Sequence, residues 1–265
     1  MTFEIQAHRG ARAFYPENTI PAFCMAADLG CRVIELDLVV SRDHRIVISH
    51  DPWIIGHPGD LSLKRYLYSM PYETISRFDC GTPSPAFPGQ KQIVASRPTL
   101  ADMLREVDAH VERSGRAGEM IYNLEVKSSP GLEGIAFPEP SVYAALVVRE
   151  ILQSGIAHRI RLQSFDARIV AEAHRLAPDL CYGFLVEDRM ALEQFPDCLG
   201  FVPDYVNPHY SLVDRQLVEK LHGYGVRVIV WTVNPSEEMI RMKLMGVDGI
   251  ITDHPEIAIG MPELA

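Results

Sequence analysis

An α/β fold, a (β/α)8 TIM barrel with an insertion after the second strand, is predicted by three observations. Short apolar runs rich in β-branched residues alternate with longer stretches of helical period, the pattern of a parallel sheet with crossover helices. Eight such runs are found, the strand number of the barrel. The length of 265 residues, 47% hydrophobic and 23% charged, suits one barrel with a large core, although length alone also allows two small domains.

The strands are expected at Phe3 to His8, Val33 to Val39, Met120 to Lys127, Ile160 to Phe165, Leu180 to Val186, Tyr205 to Asn207, Val226 to Val233 and Gly249 to Thr252. Helix starts are expected at Asn18 or Thr19 ahead of Ile20 to Leu29, at Thr99 ahead of Leu100 to Val111, at Asp166 ahead of Ala167 to Leu176, and at Ser236 ahead of Glu237 to Met245. Gly30, Gly155, Gly223 and Gly246 stand near the expected helix ends. A doubly wound open sheet is the alternative, but no GxGxxG follows the first strand.

One further run, Arg45 to Ser49, follows the second strand too closely for a parallel crossover, so it is expected to form an antiparallel hairpin with it. That hairpin brings His50 back to the rim. The stretch from about 52 to 98 is proline-rich, lacks periodicity and carries Trp53, Tyr66, Tyr68, Tyr72, Phe78 and Phe87. It reads as a compact insertion over one barrel mouth within a single catalytic domain spanning 1–265.

A formal charge of −10 and a pI near 5.5 argue against nucleic acid or an anionic membrane as partner, since both would be repelled at long range. An anionic ligand then needs a local positive site. The odd set Cys24, Cys31, Cys80, Cys181 and Cys198 contains no CxxC and reads as reduced, mostly buried thiols. With no basic, apolar leader and no membrane-length apolar run, the expectation is a cytoplasmic protein without stable membrane association, a monomer or homodimer.

Three carboxylates occupy strand positions where a charge needs a reason: Glu35 and Asp37 in VIELDLVV, and Glu125 in YNLEVK. Residues two apart on a strand leave the same face, so Glu35 accompanies Asp37 and Lys127 accompanies Glu125. Carboxylates crowded inside a barrel repel one another and lose hydration unless a cation neutralises them. All-oxygen ligation suits Mg2+, Ca2+ or Mn2+ better than zinc. The alternative is an ion-pair layer made with Lys127 and Arg9.

His8 and His50 end the first strand and the hairpin, on the side where such barrels place their active sites. Two imidazoles beside a metal suit phosphodiester cleavage, one accepting the nucleophile's proton and the other protonating the leaving alkoxide. Taken singly, each also suits a structural role. Arg9 and Lys127 either grip phosphate oxygens or neutralise Glu35 and Glu125. Gln163, Trp231 and Asn207 end strands and are candidates for lining the substrate pocket, with Trp231 also readable as core. Glu17 reads as a surface cap, and Gly10 as backbone freedom after the strand. His44, His57, His110, His158, His174 and His222 have no evident partners and read as solvated.

Taken together, His8-Arg9-Gly10, Pro16-Glu17-Asn18-Thr19, Glu35-Leu36-Asp37, His50-Asp51, Leu124-Glu125-Val126-Lys127, Gln163-Ser164-Phe165, Trp231-Thr232-Val233 and Asp248-Gly249-Ile250-Ile251-Thr252-Asp253 closely resemble the glycerophosphodiester phosphodiesterase family, in order along the chain. The resemblance implies a (β/α)8 fold and divalent-cation-dependent hydrolysis of small-molecule glycerophosphodiesters to sn-glycerol 3-phosphate and an alcohol. It implies His8 and His50 as acid and base, Glu35, Asp37 and Glu125 as metal ligands, and Arg9 and Lys127 as phosphate contacts. One departure is Asp43-His44 at the hairpin turn, where family members often carry Asp-Gly, so a different turn type is expected. A phospholipase D-like or lysophospholipase D-like barrel acting on lipid phosphodiesters is the enzymatic alternative, and a ligand-binding barrel without catalysis is the non-enzymatic one. The latter would normally lack one of His8, His50, Glu35, Asp37 and Glu125, all of which are present.

Overall fold

The computed structural model describes residues 2–55 and 64–265; His57 lies outside them. In chain order the main elements are β1 (Glu4–His8), α1 (Ile20–Asp28), β2 (Val33–Val40), β3 (Ile46–Ile48), β4 (Trp53–Ile55), β5 (Lys64–Tyr66), α2 (Tyr72–Ile75), α3 (Leu100–Arg113), β6 (Ile121–Val126), α4 (Pro140–Gln153), β7 (Ile160–Ser164), α5 (Ala167–Leu176), β8 (Cys181–Val186), α6 (Arg189–Gln194), β9 (Tyr205–Pro208), α7 (Arg215–Gly223), β10 (Arg227–Val230), α8 (Ser236–Met245), β11 (Gly249–Thr252) and α9 (Pro255–Ile259). Strands β1, β2 and β6 to β11 are parallel neighbours in that order, and β1 pairs with β11 as well as β2, closing an eight-strand barrel.

Local chemistry starts the helices. The Thr19 hydroxyl accepts from Ala22 N–H with Pro21 in the first turn, Thr99 caps α3, and Asp166 caps α5. Asn18 is therefore not the cap of α1; its side chain goes to the site instead. Ser236 is the first helical residue of α8 rather than its cap, which is Pro235 without a side-chain bond. Helix α3 buries Leu100, Met103, Leu104, Val107 and Val111, the apolar stripe of an amphipathic helix on the barrel wall. Strand β2 is buried at every position because helices cover its outer face and the barrel its inner one.

Inside the ring, polar layers flank a small apolar plug of Tyr205, Ile229 and Ile251. At the N-terminal mouth Arg161 makes two bonds to Glu4, at 2.6 and 2.9 Å, and Arg227 donates to the Tyr205 hydroxyl at 3.0 Å. Above that layer Asn123 donates to Gln6 at 2.8 Å. The register then sets His8 beside Glu35, Asp37 beside Glu125, and Glu125 beside Gln163 at the C-terminal end.

The expected hairpin forms, with β3 antiparallel to β2. His44 takes φ +59° despite its side chain, so the left-handed turn position that glycine favours is kept. Asp43 fixes the turn, accepting from the Ser41 hydroxyl at 2.7 Å and from Tyr72 N–H at 2.8 Å. The insertion contains the β4–β5 ribbon and lies against the loop after β1: the Gln90 amide donates to the carbonyls of Arg12 and Tyr15, and Lys91 N–H to that of Phe14.

Several histidines read as solvated have partners: His110 meets Asp28 at 2.7 Å, His222 meets Asp248 at 2.9 Å, and His174 stacks on Phe201. Of the cysteines only Cys31 is fully buried, the other four being half-buried. Among the described residues no helix is long and apolar enough to cross a membrane.

Burial alone would raise the Glu4 pKa, but the bonds and charge of Arg161 outweigh it and hold Glu4 low. A carboxylate held low stabilises the fold fully above its unfolded value, about 4.3, and this contribution is lost as pH falls through the lower folded value. Glu4→Gln is expected to cost on the order of 2 kcal/mol at neutral pH, with the gap to wild type closing below pH 4 in urea unfolding; a pH-independent gap would refute the assignment. Gly10 has φ +86°, and a Cβ there would sit 2.8 Å from the Ala22 carbonyl carbon. Gly10→Ala is expected to lower stability by roughly 1–3 kcal/mol, measured in the same way.

Candidate active site

The barrel's C-terminal mouth holds a cleft of about 220 Å³ whose lining includes His8, Arg9, Glu35, His50, Glu125 and Lys127. Gln163 and Trp231 line it as well, together with Phe165, Leu185 and Glu187. All of the candidate residues read from the sequence therefore meet at one mouth, with Asp37 beside Glu125 but fully buried behind the lining. Asn207 stands one layer back, its side-chain amide donating to Gln163 Oε1 and its backbone carbonyl accepting from the Trp231 indole at 2.7 Å.

Glu35, Asp37 and Glu125 each offer an oxygen, and these atoms lie within 4.8 Å of one another. All three side chains are buried. The Arg9 guanidinium lies 3.1 Å from Asp37 and 2.9 Å from Glu17, while the Arg9 backbone N–H donates to Glu35 at 3.1 Å. Lys127 lies 2.6 Å from Glu125 and 3.6 Å from Asp37. Both cations thus touch the acidic trio directly, Arg9 through Asp37 rather than by a side-chain bond to Glu35.

Two cations do not balance three acids. Burial pushes the Glu35 carboxyl well above the usual range, and the charges of Asp37 and Glu125 add to the shift. Asp37 goes the other way: burial opposes its charge, but Arg9, Lys127 and His50 hold it low, helped by a 2.8 Å bond from Asn18. Its second oxygen, Oδ1, is buried without a hydrogen-bond partner. An orphaned carboxylate oxygen beside an under-compensated acid is a donor set that a hard divalent cation fits, and Glu35, Asp37 and Glu125 are the residues that could hold it.

The backbone supports this arrangement with strain. Arg9 and Asn18 both have φ +57°, a left-handed conformation uncommon outside glycine. Arg9 is held there by the hydrogen bond its backbone N–H donates to the Glu35 carboxylate and by its carbonyl, which accepts from Asn18 N–H at 3.1 Å. Glu17, read from sequence as a surface cap, instead clamps two guanidinium groups, Arg9 at 2.9 Å and Arg12 at 2.6 Å.

Each histidine has a carboxylate at Nδ1. For His8 it is Asp253 at 2.7 Å; for His50 it is Asp51 at 3.1 Å, at a more exposed position. An ionised carboxylate at Nδ1 favours the hydrogen on that nitrogen and leaves Nε2 available to the cleft. Asp253 is itself gripped by Arg12 at 3.0 Å and Asn234 at 2.8 Å, and with His8 these contacts hold its pKa low against burial. The sequence reading assigned no role to Asp253, which it noted only within the Asp248-to-Asp253 motif, and none to Asn234 or Arg12; the signal available was an aspartate just after the last barrel strand, at the same end as His8.

Known proteins match this chain along nearly its whole length. The model of the glycerophosphoryl diester phosphodiesterase family matches residues 8–257. A glycerophosphodiester phosphodiesterase of Caldanaerobacter subterraneus is 29% identical over 96% of both chains. Among solved structures, a putative glycerophosphoryl diester phosphodiesterase from Silicibacter pomeroyi superposes with a TM-score of 0.81 at 26% identity, over 98% of this chain and 95% of that one. An Oleispira antarctica phosphodiesterase, solved in complex with the product sn-glycerol-3-phosphate, has the same fold at TM-score 0.77 and 23% identity, over 96% of this chain and 94% of that one. The chain belongs to the glycerophosphoryl diester phosphodiesterase family and is an enzyme of that kind, a phosphoric diester hydrolase.

Proposed function

We propose that the chain hydrolyses small glycerophosphodiesters to sn-glycerol 3-phosphate and an alcohol, with a divalent cation on Glu35, Asp37 and Glu125 and with His8 and His50 as acid and base. The observation that carries this is the meeting of three buried carboxylates, two histidines and two cations around one cleft. The sn-glycerol-3-phosphate in the Oleispira antarctica structure supports the product assignment. Five cysteines without a disulfide support a reducing, cytoplasmic setting.

Magnesium, calcium and manganese all suit the oxygen donors. When bound, the cation supplies Lewis-acid stabilisation of charge developing on the phosphoryl oxygens. With the trio neutralised, Arg9 and Lys127 would be free to contact the phosphate. Arg9 presents a planar fork and Lys127 a point charge. Of the two imidazoles, one takes the proton of the attacking oxygen and the other gives one to the departing alkoxide; each transfer contributes about 10²- to 10⁴-fold in rate. The attacking oxygen belongs to water or to the substrate's own 2-hydroxyl, which would give a cyclic phosphate for water to open. Asp253 and Asp51 keep the two rings oriented for these transfers.

Activity against glycerophosphocholine is expected to vanish on chelation and to return with magnesium, calcium or manganese, followed by release of glycerol 3-phosphate; chelator-resistant turnover would sink the cation's role. His8→Ala and His50→Ala are each expected to cut kcat by at least roughly 10²-fold while leaving the far-UV spectrum unchanged. A panel including glycerophosphoglycerol, glycerophosphoethanolamine and a lysophospholipid tests the substrate class. Turnover of the lysolipid alone would move the enzyme to the lipases.

A further inference from the structure

The cleft has two unlike halves. Its charged half is built from β1, β2, β6 and the hairpin and holds both histidines, Arg9 and Lys127. The other half, at the ends of β7, β8 and β10, presents Phe165, Leu185, Glu187 and Trp231. Phe165 and Trp231 meet edge to face with centroids 5.2 Å apart, and the Lys127 ammonium lies 6.0 Å from the Phe165 ring. Trp231 is locked by its indole bond to Asn207 and by His209 packed edge-on at 5.0 Å. A phosphate gripped by Lys127 therefore starts one of its ester arms along this aromatic wall.

Glu187 lies at the outer end of the wall, on the residue after β8, and is exposed. It makes no ion pair among the described residues, although its charge reaches His209, the neighbour of Trp231. Deeper down, the Gln163 amide nitrogen is buried without a partner, and the lack of a Cβ at Gly183 makes room for the Gln163–Asn207 pair. A free amide on the floor suits a glycerol hydroxyl, which every substrate shares. The arm that varies between substrates, and must leave, then points to the open rim.

An aromatic corner with a free carboxylate at its edge attracts a compact organic cation and offers little to an uncharged polyol. We propose that Glu187, with Phe165 and Trp231, reads the leaving alcohol and favours cationic amino alcohols of the choline or ethanolamine type. This rests on the hydrolase reading above and deepens it.

The test compares kcat/KM for glycerophosphocholine and glycerophosphoethanolamine with that for glycerophosphoglycerol, in wild type and in Glu187→Gln, with magnesium present. Wild type is expected to prefer the cationic pair, and the substitution to shrink the cationic-to-neutral ratio roughly five-fold, the size of one solvent-exposed charge contact. Rising salt is expected to narrow the wild-type ratio in the same direction. A ratio that Glu187→Gln leaves unchanged, whether or not both activities fall, overturns the proposal while the hydrolase reading stands. If wild type turns over none of the three esters, both readings fall together, and that is known before any substitution is made.

Discussion

The charge balance among Glu35, Asp37, Glu125, Arg9 and Lys127 governs this end of the barrel. Three acids face two bases in a buried layer, and one of those bases, Arg9, is also held by Glu17. Removing either base would leave a buried carboxylate without its partner, among the costlier faults a folded chain can carry. The barrel wall around the layer is built for this: β2 is buried along its whole length, and its register sets Glu35 beside His8 of β1 and Asp37 beside Glu125 of β6. The imbalance of one negative charge sets this layer apart from a neutral ion-pair layer serving only stability, and it is what the proposed cation would neutralise.

Rigidity follows from the same contacts. Arg9 and Asn18 adopt left-handed backbone conformations, and each is tied to the acidic trio, Arg9 by its amide and guanidinium and Asn18 by its side chain. Gly10 completes the turn because any Cβ would strike the Ala22 backbone. The loop after β1 thus threads between α1 and the acid layer with little freedom, and it is the loop that presents His8 and Arg9. The insertion reinforces it from outside, where Gln90 holds the carbonyls of Arg12 and Tyr15 and Phe87 packs on Arg12.

Much of this was legible in the sequence, for physical reasons. All eight barrel strands could be read because strands covered on both faces are continuous apolar runs, and charges within such runs stand out at once. Glu35, Asp37 and Glu125 could be read for that reason, and their shared face followed from the period of two. Thr19, Thr99 and Asp166 were legible as helix starts, while Ser236 was misplaced by one residue because α8 begins after a proline without a side-chain cap. Glu17 was misjudged because sequence gave no sign that two arginines converge on it. Asp253 and Asn234 carried no readable role because their value depends on β1 and β11 being neighbours, a closure joining residues 245 apart. Partners for His110, His174 and His222 were invisible on the same grounds, since each lies on a different element.

Barrel closure therefore does more than bury apolar surface. It sets the chain's last strand against its first, so that Asp253 comes under the ring of His8 and Arg12 can hold Asp253 and Glu17 together. His50 is served more simply, by the adjacent Asp51 at an exposed position. The two imidazoles consequently differ in constraint: one is fixed by a buried network that spans the ring, the other is carried on a hairpin near solvent. In the mechanism proposed above the two proton transfers have different spatial demands, because the attacking oxygen must stand in line behind the gripped phosphate while the departing oxygen belongs to an alcohol that varies and leaves. Under that mechanism a tightly held His8 at the end of β1 and a less constrained His50 on the hairpin would meet those two demands without any change of fold.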